Sequence, residues 1–207
     1  MAKKYQAIIN VEEGMIAPIK DGNEYGEITE MGGLQTAQRA VTLATAQVHG
    51  DGEQLDEINE IVNNTVTETT AGESDEVLAM INGHKIEGGE TIIGTGDAPP
   101  FVGHAYVEKV RGANVGNGTS VQGYRGRFYP RGKFAPAGET ATAKTGSITP
   151  STSQLVFTAF PNENGRISTH KLFTGLNARA DAIAYCKAKF TTPVAPAGIT
   201  AAKAGAK

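Results

Sequence analysis

The sequence predicts a mainly β protein, an antiparallel β-sandwich or partly closed barrel that is flanked by one or two short helices and carries extended loops or arms. Runs rich in β-branched residues support this prediction because they are separated by turn residues. Gly94, Gly96 and Pro99-Pro100, for example, lie between two such runs. The composition supports it too, because 26 Gly and no Trp among 207 residues suit many strands and turns.

The first 70 residues are predicted to be largely extended. Strands are expected over Tyr5 to Asn10, Met15 to Ile19, Tyr25 to Met31 and Ala40 to Val48. The last of these alternates apolar residues with Thr42 and Thr45, which gives the period of two that strands show. Residues 50–60 are polar and acidic and are predicted to form a loop, after which Ile61 to Thr70 resumes a strand.

The middle of the chain is predicted to begin with a short helix. Ser74 is its expected N-cap, Asp75 and Glu76 favour the positive end of the helix dipole, and Asn82-Gly83 ends it. Further strands are expected over Thr91 to Ile93, Phe101 to Val110, Gln122 to Phe134 and Gln154 to Phe160.

The last elements are predicted to be a hairpin and a second helix. Arg166 to Phe173 is expected to return beside Gln154 to Phe160 after a turn. The helix is expected from Ala178 to Phe190, with Ile183, Cys186 and Phe190 on one face.

The chain is predicted to be one domain over residues 1–190, followed by a flexible Ala/Gly/Pro/Lys tail over 191–207. Cys186 is the only cysteine, so an intrachain disulfide is excluded. The start of the chain lacks the apolar core of a signal peptide, and no run reaches the roughly 20 apolar residues of a membrane-spanning helix. We therefore expect a soluble protein without a membrane anchor, made in a reducing cytoplasm.

Charge is distributed in two blocks. Residues 51–76 contain nine carboxylates and no Lys or Arg, whereas residues 109–133 contain six cations and no carboxylate. The two blocks can be solvated faces, or they can be complementary surfaces of neighbouring subunits, where charge sets register and partner choice. The net charge of −3 lacks the basic surplus that is usual in proteins that grip nucleic acid.

No motif predicts catalytic, cofactor-binding or metal-binding residues. The Gly94-x-Gly96 pair lacks the third glycine of a dinucleotide fingerprint, and Pro99-Pro100 disfavours a helix after it. The four histidines lack metal-ligand spacing and are expected to be surface or satisfied core residues. A Gly-x-Ser-x-Gly elbow is missing, although a hydrolase site dispersed along the chain is left open.

Aromatic and basic residues interleave between Tyr124 and Phe134. This pattern can indicate a β module that stacks single-stranded nucleic acid on its rings. A simpler interpretation is a strand with a basic face opposite an apolar face, because Arg125, Arg127 and Arg131 are separated by even numbers of residues.

Three segments together resemble the major tail proteins of long-tailed bacteriophages with non-contractile tails. They are Ser74-Asp75-Glu76-Val77-Leu78 with Asn82-Gly83-His84, then Ile93 to Gly103, then Tyr124-Arg125-Gly126-Arg127-Phe128-Tyr129-Pro130-Arg131-Gly132-Lys133-Phe134. The likeness extends over about 40–190. The chain departs from the family pattern in its acidic stretch at 51–60 and in its Ala/Thr-rich stretch at 138–150.

The resemblance implies a structural virion protein whose subunits form hexameric rings that stack into a tail tube. DNA passes through the lumen of such a tube without sequence-specific binding. The implied partners are further copies of the chain and other tail proteins, namely tape measure, tail tip and terminator. The implied location is the virion tail, and the host cytoplasm during assembly. A tube of a secretion system or a phage-like particle is an equally compatible alternative.

Subunit contacts are expected where the two charge blocks meet. The candidate contact residues are Asp56, Glu57, Glu60, Arg125, Arg127, Arg131 and Lys133.

Overall fold

The structure, a computed structural model, describes residues 3–20, 23–50, 53–115, 120–137, 152–162 and 164–192. Its elements in chain order are β1 (Lys3–Pro18), β2 (Thr29–Glu30), β3 (Leu34–Gly50), β4 (Glu53–Thr70), α1 (Asp75–Asn82), β5 (Lys85–Glu87), β6 (Glu90–Ile92), β7 (Val102–Val115), β8 (Ser120–Phe134), β9 (Ser153–Ala159), β10 (Thr169–Thr174) and α2 (Ala178–Lys189).

The strands form one large antiparallel sheet and a separate small hairpin. The order in the sheet is β2-β1-β7-β8-β9-β4-β3, and β5 pairs only with β6. β8 changes partner along its length, because residues 123–128 pair with β10 and residues 132–134 pair with β9. The sheet therefore folds over itself without closing, which confirms the predicted mainly β fold with short flanking helices.

The central layer of β1, β7 and β8 is covered on both faces. On one face, Tyr106 and Tyr129 pack with Phe157 of β9, Val66 of β4 and Ile81 of α1. On the opposite face, α2 packs with Ala182, Cys186 and Phe190 against a second cluster formed by Met15, Ala17, Ala105, Val107 and Phe128. Burial of these apolar surfaces stabilises the fold.

Local sequence signals specify several elements correctly. The strand predicted over Gln154 to Phe160 is confirmed as β9, in which Leu155, Phe157 and Ala159 are buried on one face. The Ser74 hydroxyl accepts a hydrogen bond from the backbone N–H of Val77, and Gly83 ends α1 in the left-handed conformation. Cys186 is fully buried in α2, whereas Asn177 stands at the N-cap without a side-chain capping bond.

β1 is one long strand where the sequence predicts two. It pairs with β7 from Lys3 to Pro18, and its register shifts between Ile8 and Asn10 and between Glu12 and Met15. Glu13 adopts a positive φ of 56° at the second shift, which is the geometry of a β-bulge. The bulges interrupt the alternation of side chains between the two faces. The sequence pattern therefore predicts two strands where the backbone forms one. Tyr25 to Met31, predicted to be a strand, contributes only the two residues of β2.

Two further expectations are wrong. The acidic segment 50–60 is not a loop, because residues 53–60 belong to β4 and pair with the end of β3. Residues 166–173 do not return beside β9, because β10 pairs instead with β8. Proximity in the chain predicts a hairpin between β9 and β10, whereas the partner of β10 lies about 45 residues earlier.

Several predicted features lie wholly or partly outside the described residues. They are the segment 138–149, residues 116–119 of the expected loop between β7 and β8, and residues 193–207 of the expected tail. Within the described ranges, neither helix is both long enough and apolar enough to cross a bilayer.

Candidate assembly surface

The most exposed feature of the molecule is the outer half of the β3–β4 hairpin. Residues 40–49 and 53–62, called the arm below, are exposed at every position where side chains are described. The register pairs Leu43 with Ile61, Ala46 with Ile58 and Val48 with Asp56. The arm is therefore a two-stranded ribbon that extends away from the body of the protein, and neither face of the ribbon is covered.

The arm carries a large share of the exposed apolar surface. Among the described residues, half of the exposed large apolar side chains lie on it: Val41, Leu43, Val48, Leu55, Ile58, Ile61 and Val62. The exposed fraction of Leu55 is 68%. Isolated two-stranded hairpins are marginally stable in water, and a cluster of exposed apolar side chains marks an interaction surface more often than an ordinary surface.

The arm also has an unguarded edge. β3 is the last strand of the sheet, so one side of its backbone has no strand partner among the described residues. Over Leu34 to Gly50 its only Lys, Arg, Asp or Glu residue is Arg39, and it contains no Pro. Proteins that avoid edge pairing place charges, prolines or bulges on such strands. This edge is therefore suited to pairing with another chain.

The three acidic candidate residues all lie on the arm. Asp56 pairs with Val48, Glu57 with Gln47 and Glu60 with Ala44, and all three carboxylates are exposed. Glu57 accepts a hydrogen bond from the amide of Asn59 at 3.0 Å. With Glu53, the arm holds four carboxylates and no Lys or Arg.

The basic candidates Arg125 and Arg127 face a carboxylate within their own chain. Glu108 of β7 lies directly across from Arg125 in the register. The Nη1 of Arg125 donates to one oxygen of Glu108 at 3.1 Å, and the Nε of Arg127 donates to the other at 3.1 Å. Glu108 and Arg127 are buried, so the sequence-based view of an open basic face fails at Arg127.

A third arginine gives this cluster a positive excess. The Nη2 of Arg39, at the base of the arm, lies 3.8 Å from Glu108. Three guanidinium groups therefore share one carboxylate. The side chain of Arg39 is 34% exposed, so the cluster is accessible to solvent on that side. The pKa of nearby His170 is lowered, first by partial burial and then by the positive charges of Arg127 and Arg125.

Arg131 and Lys133 lie elsewhere, over the ring of Phe101. Their charged groups are 4.0 Å and 4.4 Å from the ring centroid, which is cation–π geometry. The four basic candidates thus belong to two different environments. The signal that sequence reasoning missed is Glu108, which stands one residue before the carboxylate-free segment 109–133.

The histidines are structural where they are buried. His104 is fully buried among aromatic rings, and its Nδ1 donates to the carbonyl of Met15 because a carbonyl can only accept. Its Nε2 lies 2.8 Å from a carboxylate oxygen of Glu68. His84 is held by Asp97 at 2.8 Å, beside an open cavity of about 440 Å³ lined by Leu78, Thr91, Ile93 and others.

No group of three or more His, Cys, Asp or Glu side chains is arranged to hold a metal ion in the ranges that the structure describes.

Comparison with known proteins adds no constraint on function. No protein-family model matches the chain, and no curated protein is significantly similar to it. The exposed arm and the arginine cluster at its base are therefore the features on which a functional proposal rests.

Proposed function

We propose that this chain is a structural protein that assembles with copies of itself into stacked rings forming a tube, as its resemblance to bacteriophage tail tube proteins implies. The observation that carries the proposal is the arm, a two-stranded ribbon whose apolar side chains and backbone edge are uncovered in the single chain. An element of this kind is stabilised when a second molecule covers it.

The resemblance implies open-ended assembly and not a closed pair. In such an assembly the arm of each copy covers a different surface of the next copy. Such a contact is heterologous, so it closes into rings or continues as a filament. Hexameric rings, a lumen for DNA and a place in the virion tail, together with tape measure, tail tip and terminator proteins as partners, follow from the resemblance.

The alternative, a single-stranded nucleic-acid-binding module that uses residues 124–134, receives less support. Stacking needs exposed rings, but Phe128, Tyr129 and Phe134 are at most 5% exposed. Arg127 is buried against Glu108 and is not presented to a phosphate backbone. Only Tyr124 among the aromatic residues of this strand is partly accessible.

Negative-stain electron microscopy of the purified chain over a range of concentrations tests the proposal. We expect annular particles or hollow rods. Particles that remain single compact monomers at every concentration would contradict it. A gel-shift assay with single-stranded oligonucleotides of different sequence tests the alternative, and the proposal predicts that no complex forms with any of them.

A further inference from the structure

The interior face of the sheet continues into an open, partly apolar surface next to the arginine cluster. Directly opposed residues of antiparallel strands share a face, so the register places Ile8, Val110, Glu108, Arg125 and Leu172 on one side of the sheet. Ile8 and Leu172 are exposed there. This surface, called the mouth below, is defined by Gln6, Ile8, Arg39, Arg125, His170 and Leu172.

The mouth is built to receive an anion. Arg125 donates from Nη1 to Glu108 and from Nη2 to the side-chain Oε1 of Gln6 at 2.9 Å, while its buried Nε has no hydrogen-bond partner among the described residues. Within the same residues, the ion-pair contact of Arg39 is the long one with Glu108. The local charge is positive, and the Arg39 side chain is 34% exposed. A carboxylate from outside can therefore reach Arg39 and offset this positive charge.

The arm has the complementary chemistry, because its carboxylates alternate with exposed apolar side chains. Asp56 and Glu60 flank the exposed Ile58 on one face of β4, whereas Glu57 lies on the opposite face with Leu55 and Ile61. The mouth offers guanidinium groups beside Ile8 and Leu172. Both surfaces therefore combine apolar and charged groups, and the arm is negative where the mouth is positive. Complementary charge of this kind fixes the register between partners.

The arm cannot reach the mouth of its own chain. Arg39 stands at the base of β3, and Glu57 pairs with Gln47, eight residues further along the strand. At roughly 3.3 Å per residue this separation is about 26 Å. A second molecule must therefore supply the carboxylates that meet the mouth.

We propose that the arm of one copy docks onto the mouth of a second copy through the face that carries Asp56, Ile58 and Glu60, with the carboxylates of Asp56 and Glu60 meeting Arg39 and Arg125. This inference rests on the proposed self-assembly and specifies its contact. A nucleic-acid strand is a weaker occupant of the mouth, because it carries no aliphatic side chains to cover the exposed Ile8 and Leu172.

Charge reversal tests the pairing. The variant Asp56→Lys/Glu57→Lys/Glu60→Lys is expected to lose association, as measured by sedimentation velocity at low salt. The matched control, Glu27→Lys/Glu87→Lys/Glu90→Lys, changes charge equally at exposed sites away from the arm and is expected to associate normally. Arg39→Glu alone is expected to lose association, and the combination of Arg39→Glu with the reversed arm to regain it.

The outcomes separate this inference from the proposed function. If the native chain associates and the reversed arm associates equally well, docking of the arm onto the mouth is wrong while self-assembly stands. If the native chain never associates, both are wrong. If Arg39→Glu leaves association intact but abolishes binding of a single-stranded oligonucleotide, the mouth takes nucleic acid and the inference is overturned.

Cysteine crosslinking distinguishes docking onto the mouth from pairing of two arms. The variant Glu60→Cys/Leu172→Cys is expected to form a ladder of crosslinked oligomers with a short bismaleimide, whereas Glu60→Cys alone is expected to stay uncrosslinked. Native Cys186 is buried, so the unmodified chain serves as the blank. Dimers formed by Glu60→Cys alone, without a ladder from the double variant, would overturn the inference.

Discussion

At the scale of single residues, the interior holds two carboxyl groups that contact side chains of other strands. Glu108 is paired with arginines of the neighbouring strand, and one oxygen of Glu68 lies 2.8 Å from Nε2 of His104. Removing one partner of a buried ion pair costs far more free energy than the intact pair contributes to folding, because the remaining charge is uncompensated. These residues are therefore expected to be structural even though they are the most polar groups in the interior.

Glu108→Gln is expected to destabilise the chain by about 3–5 kcal/mol, because Arg125 and Arg127 would lose their buried counter-charge. Urea unfolding followed by circular dichroism measures the change. Glu60→Gln, at an exposed site on the arm, is the matched control and is expected to change the free energy of unfolding by about 0.5 kcal/mol or less. Equal effects of the two substitutions would contradict the assigned role of Glu108.

Asp97 is expected to make stability depend on acid pH. Hydrogen bonds from the backbone N–H of Gly94 and from His84 hold the pKa of its carboxyl below the ordinary 3.8. A carboxyl group whose pKa is lower in the folded state than in the unfolded state stabilises the fold at pH values above its unfolded pKa. This stabilisation is lost as the pH falls through the folded-state pKa. Native protein should thus exceed Asp97→Asn in stability at neutral pH, and the difference should shrink below about pH 3.8. A difference that is constant with pH in thermal melts would contradict this.

At the scale of elements, α2 is held by close approach to β8. A Cβ on Gly126 would lie 2.8 Å from the Tyr185 ring and 3.0 Å from the Cys186 sulfur, so glycine is what allows the helix to lie this near the sheet. The same contact encloses the only thiol of the chain. The reactivity of the Cys186 thiol therefore reports whether α2 is packed against β8.

Gly126→Ala is expected to displace α2 and to speed reaction of Cys186 with a thiol reagent. In the native chain the reaction should be slow, because burial raises the pKa of this thiol to about 12 and also blocks access to it. Gly96→Ala is the control, because a Cβ there meets nothing within 4 Å. Equal labelling rates in the two variants would show that the close approach does not hold the helix.

The arm is expected to be dispensable for the fold of the single chain. Replacing residues 43–62 by Asn-Gly joins Thr42 to Asn63, which face each other in the register, through a two-residue hairpin turn. Since the removed side chains are exposed, the melting temperature should change by only a few degrees. Loss of the cooperative melt would show instead that the arm supports the core.

Sequence reasoning was most successful where the signal is local. The cap at Ser74 and the alternation of β9 are each read from a few neighbouring residues. It was right for Ala40 to Val48, which lies within β3, but it failed for the acidic residues 53–60 of β4, because consecutive carboxylates resemble a loop. It also failed at Arg127, whose partner Glu108 is 19 residues away and is identified only by strand pairing.

At the scale of the whole molecule, the body and the arm have different roles. The body has two packed cores and paired charges, so we expect it to be stable as a single unit. The arm has uncovered apolar side chains and an edge without a strand partner among the described residues, so under the proposed function another molecule covers it. Self-association through the arm is the property on which the proposed tube depends.

Sedimentation velocity of the full chain beside the arm-truncated chain tests this claim most directly. We predict that the full chain forms larger species as its concentration rises, while the truncated chain stays a folded monomer throughout. A full chain that remains monomeric, or a truncated chain that associates equally well, would contradict it.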